Sequence, residues 1–220
     1  MFNLRVIDGD LDLTHVGTVL LPDDKWPNDV APLPGAEDGF IVSSMFDPRV
    51  ANGLDRMAAG EVIGHVLQWT PADGWSVLPG CHLAGPNGVE LSPDGQFVFA
   101  ALWPLRAITR ISRGSGTLDI KTVDVGFLVD NFTWTDDGFL LVAGQLSSHE
   151  LMVQEFRSKE TSALPFGVAK INPKTLEVET LFSGQAPDGW GMASAALKVG
   201  NEIWLGTPRN DGILRLSIDN

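Results

Sequence analysis

The chain has 220 residues, 44% hydrophobic and 20% charged, the balance of a folded domain with a core to bury rather than of a disordered tail. Fifteen basic against 28 acidic residues leave a net charge of −13, which argues against a phosphate-binding surface for nucleic acid, disfavours an anionic membrane face and suits a divalent cation. The one cysteine, Cys81, excludes an intrachain disulfide, and no run approaches the roughly 18–20 apolar residues of a membrane span.

Short apolar or alternating runs, punctuated by Gly and Pro, recur along the whole chain and read as strands joined by tight turns. The first lie near residues 3–7 and 15–20, followed by 29–33, 40–45, 65–70 and 75–78. The next are 88–91, 97–103, 107–112 and 122–125, then 132–135, 139–145, 167–171 and 177–182. Runs at 194–199, 202–207 and 212–218 close the series, and only 57–63 and 149–160 read as short helices. The start, Met1-Phe2-Asn3-Leu4-Arg5, has no signal-peptide pattern, so a cytoplasmic location is expected unless a targeting segment precedes it.

The strands fall into groups of four, and three groups open alike, on Pro27-Asn28-Asp29-Val30, Pro86-Asn87-Gly88-Val89 and Val129-Asp130-Asn131-Phe132. Each opening strand ends in an Asp-Gly hairpin turn: Glu37-Asp38-Gly39, Pro93-Asp94-Gly95 or Asp136-Asp137-Gly138. A four-strand repeat of roughly 40–60 residues is a propeller blade. The expectation is therefore one all-β domain over 1–220, with full blades at 28–80, 87–125 and 130–183 and a last blade of three strands at 191–219. Residues 1–27 read as the outer strands of an earlier blade. That count closes no ring well, so about four blades of an incomplete ring are expected, a four-bladed propeller being the alternative.

Inner strands of a propeller begin on the face that also carries the connections between second and third strands. The two longest insertions, 46–64 and 146–165, are such connections, and they belong over Asn28, Asn87, Asp130 and Asn131 as the walls of a pocket. Each polar pair alone is an ordinary turn element. Three in register bring amide and carboxylate oxygens to one axis, the donor type calcium takes. Trp26, beside Asn28, is the candidate for substrate contact.

The run Pro86-Asn87-Gly88-Val89-Glu90-Leu91-Ser92-Pro93-Asp94-Gly95 resembles the paraoxonase/arylesterase and SMP-30/gluconolactonase superfamily of six-bladed, calcium-dependent propellers. The likeness continues in order through Asn28-Asp29-Val30, Leu128-Val129-Asp130-Asn131 and Ser194 to Thr207. It implies that Asn28, Asn87, Asp130 and Asn131 hold a catalytic calcium, that Asp29 holds a second one, and that the reaction is hydrolysis of a lactone or activated ester. It also implies that blades preceding Met1 are missing, and with them a glutamate ligand and the histidines of the general base. Paraoxonases carry a histidine where this chain has Gln145, which cannot exchange a proton near neutral pH. His149 is the nearest histidine, with a surface-loop position the plainer reading, and the catalytic base stays unassigned. Two alternatives stand beside the hydrolase: a non-catalytic binding propeller and a metal-free strictosidine-synthase-like relative. An open ring exposes apolar faces and strand edges, so self-association is expected.

Overall fold

A computed structural model describes residues 2–7, 10–15, 17–35, 38–114, 116–158 and 160–218. Met1, Glu37 of the first Asp-Gly turn and residue 219 of the last expected blade lie outside them. A hairpin of β1 (Phe2–Ile7) and β2 (Asp10–His15) comes first. Its second strand is 10–15 rather than the expected 15–20, because Leu11 and Leu13 alternate with Asp10, Asp12 and Thr14 at the strand period of two.

Four antiparallel sheets follow in chain order. The first contains β3 (Pro27–Pro32), β4 (Phe40–Ser44), β5 (Gly64–Thr70) and β6 (Gly74–Leu83). The second contains β7 (Pro86–Leu91), β8 (Phe97–Leu102), β9 (Ala107–Ser112) and β10 (Ile120–Asp124). The third contains β11 (Leu128–Trp134), β12 (Leu140–Gln145), β13 (Phe166–Ile171) and β14 (Val178–Gly184). The last has three strands, β15 (Ala195–Val199), β16 (Glu202–Gly206) and β17 (Leu214–Ser217). Asp38, Gly95 and Gly138 turn their hairpins with φ of 64°, 70° and 80°, the left-handed region that Asp and Gly tolerate.

Alternation explains how these sheets stack. On β8, Val98 and Ala100 join the core between the first and second sheets, while Phe99 and Ala101 join the core between the second and third. On β12, Leu140 and Val142 face that second core, and Leu141 and Ala143 face the core shared with the fourth sheet. Each large apolar side chain so buried contributes about 1.5–3 kcal/mol. Cys81 belongs to the first of these cores, and burial pushes its thiol up to about 12.

The inner strands pack in the order β3, β7, β11, β15, an open arc of propeller blades. On the outward faces of the end blades Val30 is 60% and Leu197 50% exposed. Phe40 packs on Trp69 and Trp75 on the first of those faces, and the Trp75 indole N–H donates to the Leu20 carbonyl at 2.8 Å.

Two helices interrupt the strands, α1 (Gly53–Ala58) between β4 and β5 and α2 (His149–Arg157) between β12 and β13. The expected helix at 57–63 is instead α1, because Gly60 at φ 83° stops the helical path after Ala59. Ser148 caps α2, its hydroxyl accepting from the Leu151 amide.

Candidate functional site

The pairing register of three successive inner strands breaks at the same place. β3 slips against β4 between Pro27 and Val30, β7 against β8 between Pro86 and Val89, and β11 against β12 between Val129 and Phe132. The residues inside the breaks are Asn28–Asp29, Asn87–Gly88 and Asp130–Asn131, the three polar pairs of the repeat. β15, whose sequence lacks such a pair, follows β16 without a break. A bulge releases two residues from the ladder and re-aims their side chains.

The backbone groups so released find local partners. The Asp29 amide donates to Ser43 Oγ at 3.0 Å; just before the break the Trp26 amide donates to Ser44 Oγ, also at 3.0 Å. The Asn131 amide donates to the Ser194 carbonyl at 3.1 Å. Gly88 allows β7 and β11 to meet backbone to backbone, since a Cβ there would lie 2.4 Å from the Asp130 carbonyl oxygen and 2.7 Å from Asn131 Cα.

Asn28, Asn87, Asp130 and Asn131 line one cavity of about 590 Å³, and Trp26 lines it with them. Asp29 does not. Its Oδ2 accepts from the Val89 amide at 2.9 Å and its Oδ1 from the Val30 amide at 2.8 Å, tying β3 to β7 below the cavity. Burial raises the carboxyls of Asp29 and of its neighbour Glu90.

Asp130 is the most perturbed acid. Burial pushes its carboxyl up to about 7 and Asp29 adds to the rise, against hydrogen bonds from Gln145 and Asn87 that favour the charged form. Gln145 Nε2 donates to Asp130 Oδ2 at 2.8 Å and Asn131 Nδ2 donates to Oδ1 at 2.9 Å. Gln145 is fully buried behind Asp130 rather than in the cavity wall, and its Oε1 accepts from the Trp103 indole at 3.1 Å. His149 also stays out of the wall, on the first turn of α2 with its ring 5.5 Å from that of Trp103.

The rest of the wall is apolar. Trp26 stacks on Phe46 at 5.4 Å and 16°, and Met45, Leu54, Met57 and Trp103 continue the surface. Phe46, Leu54 and Met57 come from the first long insertion; Met152 of the second packs behind them, in the same buried cluster as Met45, Met57, Trp103 and Met192. Sequence reasoning did not single out these residues or Ser194 and Pro208, which also line the cavity. The signal available for Ser194 was its position in the fourth repeat unit, where the polar pair is missing.

Among the described residues no three His, Cys, Asp or Glu side chains gather into a metal-holding group. The side-chain oxygens of the cavity are of another kind, three amides, one carboxylate and the Ser194 hydroxyl. Asn87 is 5% exposed, and its Oδ1 is a buried acceptor with no hydrogen-bond donor among the described residues. A hard cation with a taste for neutral oxygen fits that donor set and that orphaned lone pair; zinc, which prefers His and Cys, does not.

No family model and no curated protein sequence matches the chain. Solved structures do. A gluconolactonase from Xanthomonas campestris superposes with a TM-score of 0.54 at 20% identity, over 96% of this chain and 62% of that one. A regucalcin from Agrobacterium tumefaciens, described as a calcium-binding protein, gives 0.51 at 12% identity over 83% and 54%. A chain of a nidogen/laminin complex gives 0.65 at 10% identity over 98% and 69%. The chain thus shares its fold with gluconolactonase and regucalcin structures, while spanning 54% to 69% of the length of these three.

Proposed function

We propose that this chain carries the site of a lactonase-type hydrolase, acting on lactones or activated esters with calcium. One observation supports the reading above the others: three inner strands break register at equivalent points, and the released Asn28, Asn87, Asp130 and Asn131 turn to one cavity. Those four side chains would hold the ion. When bound, calcium supplies Lewis acidity that polarises a carbonyl and favours the negative charge its oxygen develops.

The chain's own residues prepare that chemistry. Gln145 and Asn131 fix the Asp130 carboxylate from two sides, so it need not reorganise as charge develops. The apolar side chains of Trp26, Phe46 and Trp103 would cover part of a bound substrate from water, where charge interactions are stronger. Asp29 holds the first two inner strands together and sets the spacing of Asn28 and Asn87.

The test is hydrolysis of γ- and δ-lactones and of an aryl ester, with calcium present and then chelated, alongside calorimetric titration of calcium. Turnover that chelation abolishes and calcium restores is the expected result. Turnover indifferent to the chelator would favour metal-free chemistry. Calcium binding with no turnover of any acyl substrate would favour a binding propeller, a use to which the likeness to the nidogen/laminin complex lends weight.

A further inference from the structure

We infer that this site takes uncharged acyl compounds with an apolar substituent, and that Phe46 and Leu54 of the insertion between β4 and β5 select it. The inference rests on the acyl-substrate reading above and adds what that reading leaves open. The cavity is lined by two kinds of side chain. One bears the oxygens of Asn28, Asn87, Asp130 and Asn131; the other offers Trp26, Phe46, Leu54, Met57 and Trp103. Among the described residues lining it there is no Lys, Arg or His, so nothing there neutralises a phosphate or free carboxylate. With the four polar side chains engaged by an ion, the remaining lining offers a ring of hydroxyls few hydrogen-bond partners besides Ser194, indole and backbone groups, and stripping such hydroxyls of water without replacement is costly.

The apolar lining is also built rather than incidental. Leu54 and Met57 stand three residues apart on α1, and so share one face of it. Phe46 lies against Gly53, where an added Cβ would come within 2.8 Å of its ring, so the helix and the ring fix each other. The same Phe46 stacks on Trp26, which is 51% exposed and forms the rim. Behind this surface the thioethers of Met45, Met57, Met152 and Met192 share one cluster, flexible side chains that adapt to substituents of different shape.

The test uses the full 220-residue chain with calcium and calorimetric titration of non-hydrolysable lactams: δ-valerolactam, its propyl, pentyl and phenyl derivatives, a polyhydroxylated sugar lactam and its phosphate ester. Affinity is expected to rise about fourfold per added methylene until the cavity is filled, with the sugar lactam weak and its phosphate ester weaker. In Leu54→Ser and Phe46→Ser the rise should flatten while calcium affinity holds, which shows that the variants are folded. Equal or tighter binding of either sugar lactam, an unchanged slope in both variants, or no lactam binding at all would each overturn the inference. Turnover of the matching lactones separates the two ideas. Alkyl preference without turnover removes the hydrolase and leaves the selection, whereas turnover confined to sugar lactones does the reverse.

Discussion

Gln145 donates to the Asp130 carboxylate at 2.8 Å from a fully buried position, and with its other end accepts the Trp103 indole at 3.1 Å. One neutral side chain thus orients both a candidate ion ligand and an aromatic wall of the cavity. Replacing it by leucine keeps the volume and takes one buried hydrogen bond from each of the two. Gln145→Leu is expected to cost about 2–3 kcal/mol, read from urea unfolding, because buried groups that lose a partner carry their full desolvation penalty.

Asp130 separates a structural from a metal-binding role. With calcium chelated at pH 8, relief of the buried charge in Asp130→Asn opposes the loss of one accepted amide hydrogen bond, so thermal stability should change little. With calcium at 100 times its dissociation constant the parent chain should gain about 2.7 kcal/mol, and the variant much less. Scanning calorimetry with and without chelator reads both. A purely structural Asp130 would give the variant a loss in chelator and the same calcium response as the parent.

Stability in chelator should fall as pH rises from 5 to 8. Asp130 titrates near 7 in the folded chain but near 3.8 when unfolded, so between those values the unfolded state loses its proton first and is favoured. Asp29 and Glu90, both raised, act in the same direction. The ion-paired acids work at the other end: Asp137, held down to about 2 by Lys170, and Glu202, held down by Trp204 and Arg215, add stability that is lost only as pH falls below about 4. The melting temperature should therefore peak at pH 4–5, and calcium should flatten the alkaline side.

Gly88→Ala should damage the site more than its size suggests. The added methyl meets the Asp130 carbonyl oxygen at 2.4 Å and forces β7 from β11, at a cost of about 1–3 kcal/mol or more, together with weakened calcium binding. Gly116→Ala, where nothing lies within 4 Å, should change neither stability nor calcium affinity by a measurable amount.

The blades were legible because their cause is local. Alternation at β8 and β12, Asp-Gly turns and a repeated Asn or Asp-Asn opening all leave marks in the sequence, and they fix strands, order and the residues of one pocket edge. What escaped depends on distance. Nothing in the chain announces that Gln145 lies behind Asp130, since the contact is made by blade geometry. Trp103 and Ser194 reach the cavity from connections and strand starts whose direction no periodicity records. The helix at 53–58 was misplaced because Ala58, Ala59 and the residues after them favour helix locally, while Gly60 turns the chain the other way. The four polar residues of the cavity could be named, yet not the bulges that turn them inward, because a register slip belongs to two strands together.

Those slips have a bearing on how such a scaffold changes over time. Each slip is one extra residue on the inner strand, two residues facing one on its neighbour, and regular pairing resumes at Val30, Val89 and Phe132. The pair at the axial end therefore stands outside the regular ladder of its own sheet. Substitutions at 28 or 87 can thus alter the donor set facing the cavity while the ladder beyond Val30 and Val89 keeps its pairing.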